Sequence, residues 1–217
     1  SMHQILMPLT AKFLNDKDFD SLEGLYKKSS LNLFVISGLI FLLIVLNINQ
    51  LYFLIDKEFS VGLYVVLMIS VAKLYDSILG SNNAILFNSD YYRIVLTLGV
   101  FLVILMIVLN VIFIPLFGIH GAALATFLAI FFYNTGKLYF VHKYFKILPF
   151  TKNTLKVGML VIATVLLFYF WDFSFHPIIN IAIKSIIVSL IYTLIIYKFN
   201  FSEDISAIIN KTLKARN

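Results

Sequence analysis

Apolar residues in this chain come in long runs rather than in strict alternation. No Asp, Glu, Lys, Arg or His occurs from Ser29 to Ile55, and none from Ile94 to Ile119. A run of ~20 apolar residues is what a helix needs to cross a bilayer core of about 30 Å. Six such runs are predicted, over 31–55, 61–83, 94–114, 118–141, 154–171 and 177–197. All six are expected to be helices, because a spanning segment must satisfy its own backbone hydrogen bonds. The fold class predicted is all-α integral membrane. The connections at 56–60, 89–93, 115–117 and 172–176 are too short for a soluble domain.

The flanks complete the division of the chain. Residues 1–30 read as the end of a preceding helix plus an acidic linker, in which Asp20 and Glu23 have the spacing of a capping box. Residues 31–142 hold four spans, 143–156 a basic loop and 157–198 the final helix pair. Residues 199–217 form an amphipathic tail, with Ile205, Ile208, Ile209 and Leu213 at helical spacing. That tail is expected to lie against the membrane surface. Residues 1–10 show no basic n-region and no A-x-A-like site, so a signal peptide is not predicted. The chain is expected to be a piece of a longer protein.

Charge sharpens the picture. Only 13% of residues are charged and 61% are hydrophobic, against roughly 25% charged in soluble domains. Without cysteine there is no disulfide framework and no thiolate chemistry. A net charge of +6 raises nucleic acid as a partner, but the placement of the lysines removes it. If six spans alternate, Lys12, Lys17, Lys27, Lys28, Arg93, Lys137, Lys143, Lys146, Lys152, Lys156, Lys198, Lys211, Lys214 and Arg216 share one side. The other side has Lys57 beside Asp56, Glu58 and Asp172. The positive-inside rule then predicts both termini in the cytoplasm.

Two lysines remain outside that division, Lys73 and Lys184, and both fall inside predicted spans. Lys184 lies about two turns from Pro177, close enough to snorkel to the interface. Lys73 is central in its span. With Ser70, Asp76, Ser77, Gly80 and Asn83 it falls within an arc of about 140° at 100° per residue, opposite Leu67, Val71, Leu74, Ile78 and Leu79. A charge at mid-bilayer costs about 2.5–3.5 kcal/mol on the insertion scale. The stripe therefore reads either as a Lys73–Asp76 pair joining helices or as the lining of a substrate pathway. The candidate pathway residues are Ser70, Lys73, Asp76, Ser77 and Asn83. The histidines at 3, 120, 142 and 176 are scattered. HExxH, Walker, GxSxG and clustered-carboxylate patterns are absent from the sequence, so it predicts no metal, no cofactor and no enzyme.

The 110–126 stretch, NVIFIPLFGIHGAALAT, turns between two spans at Pro115 and Gly118. Gly118, Gly121, Ala122, Ala125 and Ala129 then fall on one helical face, a small-residue ladder that lets a neighbouring backbone approach. Taken with LYKKSSLNLFVISGL, LYDSILGSNNAILFNSDYYR and YNTGKLYFVHKYF, this order of segments resembles the C-terminal half of polysaccharide flippases. These are the O-antigen and exopolysaccharide transporters of the multidrug/oligosaccharidyl-lipid/polysaccharide exporter superfamily. The resemblance implies a fourteen-helix, two-lobe fold, of which residues 2–14 match the end of the eighth helix and the six spans the ninth to fourteenth. On that template the N-terminal lobe is lacking.

The implied function is movement of a polyprenyl-diphosphate-linked oligosaccharide across the bacterial inner membrane. Lys73 would meet the diphosphate, Ser70, Ser77 and Asn83 the sugars, and Asp76 would neutralise Lys73 between substrates. The implied partners are the bilayer, the lipid-linked substrate, a polysaccharide polymerase and glycosyltransferases. The alternatives are a cation-coupled drug or metabolite exporter of the same superfamily and a membrane-embedded glycan or lipid enzyme.

Overall fold

The computed structural model describes residues 2–55, 62–172 and 175–214, with side chains from 5 to 212. Asp56, Lys57, Glu58, Leu213, Lys214 and Arg216 lie outside the residues whose side chains are described. Among the described residues there is no strand. The elements are α1 (Met2–Asn15), α2 (Phe19–Tyr52), α3 (Leu63–Ile78), α4 (Asn82–Phe87), α5 (Tyr92–Phe117), α6 (Ile119–Phe145), α7 (Lys152–Phe168), α8 (Pro177–Lys198) and α9 (Glu203–Lys214). Four of them, α2, α5, α6 and α8, are long and apolar enough to cross a membrane. The chain is an all-α integral membrane protein. Two of the predicted spans yield shorter helices, with 16 residues in α3 and 17 in α7.

The spine is α2. Its 34 residues extend about 51 Å at 1.5 Å per residue. It starts earlier than the capping-box reading allowed. Asp18, not Asp20, is the N-cap, and its carboxylate accepts from Ser21 N–H at 3.0 Å. The acidic linker thus shrinks to a short turn, and Asp20 sits in the first helical turn, where an acid favours the helix dipole.

Two apolar clusters form on this spine. One joins Leu31, Phe34, Leu42 and Leu46 of α2 to Val157 and Val161 of α7 and to Val188, Tyr192 and Ile196 of α8. Tyr192 donates its hydroxyl to Val35 C=O at 3.1 Å, over the space left by Gly38. The other joins Leu22 and Tyr26 of α2 to Ile85 and Leu86 of α4, Val95 of α5 and Val141 of α6.

Contacts define two ends of the bundle. At one end Phe19 packs on Phe145, Tyr91 stacks on Tyr144, Lys28 pairs with Asp204, and Asn153 donates to Phe201 C=O. At the other, Tyr64 meets His120 edge-on and Lys184 pairs with Asp172. The described chain passes between these ends along α2, α3–α4, α5, α6, α7 and α8 in turn. Lys27, Lys28, Arg93, Lys143, Lys146, Lys152, Lys156 and Lys198 gather at the first end.

The predicted span 61–83 is broken. Helix α3 stops at Ile78, Gly80 turns the chain at φ +57°, and α4 begins at Asn82. The break is held on α2: Ser30 donates its hydroxyl to Ile78 C=O, and Ser29 donates to Ser81 Oγ at 3.0 Å. A Cβ at residue 80 would stand 2.7 Å from Ser30 N and Cα, so only glycine permits the approach.

The α5–α6 corner is tighter than the 115–117 connection predicted. Helix α5 runs through Pro115 to Phe117, and Gly118 (φ 57°, ψ −131°) is the single linking residue. Gly121 then faces the α5 backbone so closely that a Cβ there would lie 2.0 Å from Phe113 O. Ala125 and Ala129 are fully buried along the same helix, while Ala122 is half-buried. The small-residue ladder is thus a packing face.

Candidate substrate pathway

The polar residues of α3 do not act as one stripe. Ser70, Lys73 and Ser77 line a notch of about 360 Å³ between α3 and α2, opposite Ser37, Ile40, Phe41 and Ile44. Ser77 returns its hydroxyl to Lys73 C=O at 3.0 Å, which leaves the Lys73 ammonium as the notch's charged group. Lys73 and Asp76 are both exposed, and they form no ion pair. The Lys73–Asp76 pair, one of the two readings of the stripe, is thus not formed. Lys73 lines the notch, whereas the charge of Asp76 acts on Tyr133 and Lys137 of α6.

Asn83 is also displaced from the stripe, since it lies on α4 beyond the break. Its Oδ1 accepts from Lys137 Nζ at 3.0 Å, and the same ammonium sits 4.3 Å from the centre of the Tyr133 ring. Lys137 is only 1% exposed, two turns inside the C-terminus of α6. Beside it Tyr75 and Thr135 share a 2.9 Å hydrogen bond, linking α3 to α6. Several neighbouring polar groups are buried without a hydrogen-bond partner among the described residues: both amide atoms of Asn134, Nδ2 of Asn82 and the hydroxyl of Tyr26. Such groups are uncommon in a finished core, and here they accompany the helix break.

Lys137 is the residue that sequence reasoning missed. The sequence pattern groups it with the topogenic lysines, although it falls inside the predicted span 118–141. That position was the available signal. Lys184, in contrast, does extend toward the bundle end, where Asp172 Oδ1 receives it at 3.0 Å, and it is 2% exposed.

An apolar groove continues from the notch. Phe41 and Leu74 line both the notch and an adjoining space of about 340 Å³ between α2, α3 and α7. Phe34, Ile78, Gly158 and Ile162 carry that space on into another of about 370 Å³, which reaches Phe150 and Thr151 at the basic end. The floor at Gly158 is open because a Cβ there would just touch the Phe34 ring, at 3.9 Å. Among the described residues no cluster of three or more His, Cys, Asp or Glu can hold a metal ion. Comparison with known protein families, curated proteins and solved structures finds no match for the chain.

Proposed function

We propose that this chain is part of a flippase-type transporter that moves a polyprenyl-diphosphate-linked oligosaccharide across the bacterial inner membrane, with both described ends of the chain on the cytoplasmic side. One observation carries the reading: a long apolar groove along α2, α3 and α7 runs into a notch with a central lysine and three serines. An amphiphile with a hydrocarbon tail and an anionic, hydroxyl-rich head fits both parts. The tail takes the groove, Lys73 meets the diphosphate, and Ser70 with Ser77 meets the sugars. Lys137 and Asp76 form a second polar layer between α3 and α6 that reorganises as the substrate passes.

The exposure of Lys73 and Asp76 supports the same reading. A mid-bilayer charge facing lipid costs about 2.5–3.5 kcal/mol, so this face of α3 meets water or another helical unit. A cavity between two rocking units is how secondary transporters give alternating access. On this reading all six passes span the bilayer, the α3–α4 pass as a broken helix of the kind that lines binding sites. A polysaccharide polymerase and glycosyltransferases are the partners it implies.

The test is glycan export in cells that make the intact protein with Lys73→Gln, Asp76→Asn or Lys137→Met. Export is expected to fall by at least about tenfold in Lys73→Gln, since roughly 1.4 kcal/mol of lost charge pairing is a factor of ten. Normal export in all three variants would remove this pathway from the mechanism. Loss of drug resistance with normal glycan export would favour the cation-coupled exporter.

A further inference from the structure

A second groove, sharing no residue with the notch, lies between α5 and α6. It holds about 390 Å³ and is lined by Ile94, Thr97, Leu98, Phe101 and Phe140. Its floor depends on Gly136, where a Cβ would press on Leu98 at 3.1 Å. Two cations adjoin its lining residues along α5 and α6 and so define its rim. Arg93 directly precedes Ile94 and lies one turn above Thr97, which donates its hydroxyl to Arg93 C=O at 3.0 Å. Lys143 lies one turn beyond Phe140 on α6.

Both rim cations are exposed, and neither makes an ion pair with a described residue, although Asp90 is only three positions before Arg93. Aromatic rings hold them in place. The Arg93 guanidinium is 5.9 Å from the Tyr92 ring centre, and Lys143 Nζ is 5.6 Å from that of Tyr144 and 6.0 Å from that of Tyr139. The Tyr91–Tyr144 stack, at 3.8 Å, ties the start of α5 to the end of α6 and so keeps both cations on one rim. Tyrosines and basic residues at the end of spanning helices sit at headgroup level.

We propose that this groove binds an anionic glycerophospholipid, with its phosphate between Arg93 and Lys143 and an acyl chain along Ile94, Leu98 and Phe101. The charge of the rim selects the headgroup. A zwitterionic lipid brings an ammonium that offsets the two cations, and a free phosphate leaves the apolar groove unused. The site is independent of the transport reading, and none of its lining residues belongs to the notch or to the apolar groove beside it.

The test uses the intact protein in detergent, mixed with equal amounts of phosphatidylglycerol and phosphatidylcholine of the same chain length. Retained lipid is counted by native mass spectrometry. The unaltered protein is expected to retain phosphatidylglycerol preferentially. Arg93→Gln with Lys143→Gln is expected to lower that preference roughly 10- to 30-fold, from the contribution of two cations near a lipid surface. Thr97→Trp, filling the groove from an exposed position, lowers retention of both lipids. Lys156→Gln with Lys198→Gln, which removes equal charge at the same end but away from the rim, keeps the preference. The proposal is overturned if the rim variant retains the original preference, if the remote variant loses it equally, if Thr97→Trp changes nothing, or if inorganic phosphate displaces the lipid.

Discussion

At the residue scale, glycine placement separates space from strain. Gly121 and Gly99 are both glycines inside long apolar helices, yet their surroundings are opposite. A Cβ at 121 would overlap Phe113 O at 2.0 Å and Phe113 C at 2.4 Å, and both are backbone atoms that cannot rotate away. A Cβ at 99 would meet nothing within 4 Å. Overpacking a tight contact costs about 1–3 kcal/mol, sometimes more, because the whole α5–α6 pair must spread. Removing a helix-interior glycine where space is open instead gains up to about 1 kcal/mol of helix propensity. Gly121→Ala is therefore expected to lower the thermal midpoint in detergent by several degrees, and Gly99→Ala to leave it unchanged or raise it. Equal midpoints for the two variants would mean that α5 and α6 are not in this close contact.

At the element scale, α9 is held to the bundle by a polar cluster at its start and by Tyr197 of α8, whose hydroxyl donates to Asn210 Oδ1 at 2.5 Å. Asp204 accepts from Lys28 Nζ at 2.7 Å and from Asn32 Nδ2 at 2.6 Å, while Ser202 donates to the other side of the Asn32 amide. Partial burial pushes the Asp204 carboxyl up, but the hydrogen bonds from Lys28 and Asn32 and the charge of Lys28 outweigh it and hold it below its usual range. A folded-state pKa below the unfolded one means that the unfolded state binds more protons. The contribution to docking is thus complete above the ordinary carboxylate value of about 3.9 and is lost as pH falls through the lowered one. The carboxylate is 39% exposed, so the pair is screened and is worth under about 1 kcal/mol. Limited proteolysis at Lys211 is expected to stay slow from pH 8 to pH 5 and to quicken below about pH 4. Asp204→Asn should show the quickened rate at pH 7. A variant as resistant as the parent would place the hold on α9 in its apolar contacts and the Tyr197–Asn210 bond.

The same scale shows what the sequence made legible. The spans at 94–114, 118–141 and 177–197 match α5, α6 and α8 to within a few residues, because apolar run length is a direct consequence of bilayer thickness. The amphipathic tail also emerges as a helix, with Ile205 packed on the core and Ile208 65% exposed. The α3–α4 break was not legible, since Gly80 falls on the polar side of a helical wheel and fits an unbroken helix equally well. Only the approach of Ser30, fifty residues earlier, gives that glycine its role. Periodicity orders residues around one helix but names no neighbour. Hence Lys73 and Asp76 shared an arc in the sequence and face different helices in the fold. Lys137 was misread for the same reason. A lysine near a span's end looks topogenic until Asn83 and Tyr133 are seen around it.

At the scale of the whole molecule, charge and geometry bear on the same question from independent directions. The contacts described place the starts of α2, α5 and α7 at one end, together with the ends of α6 and α8. Lys28 aside, the lysines that gather there take no part in the contacts that define it. The opposite end, at Tyr64, His120 and Asp172, has one described lysine, and that lysine is buried on a carboxylate. Lys137 drops out of the topogenic count because it is enclosed by protein, yet the asymmetry survives its removal. The positive-inside rule counts basic residues in short loops near span ends, which is where Lys143, Lys146, Lys152 and Lys156 lie. The chain has no cysteine, so single cysteines report position without background. Cysteines at Lys146 and at Phe53, which is 75% exposed at the end of α2, are expected on opposite sides of the membrane. A membrane-impermeant maleimide added to spheroplasts should label position 53 and not position 146. A cysteine at Phe175, 58% exposed before α8, tests the short α7 pass, as the pair 53 and 146 tests the α3–α4 pass. If α7 crosses despite its 17 residues, position 175 labels like position 53. If α7 instead lies within one leaflet, it labels like position 146, and the bundle has fewer spans than passes.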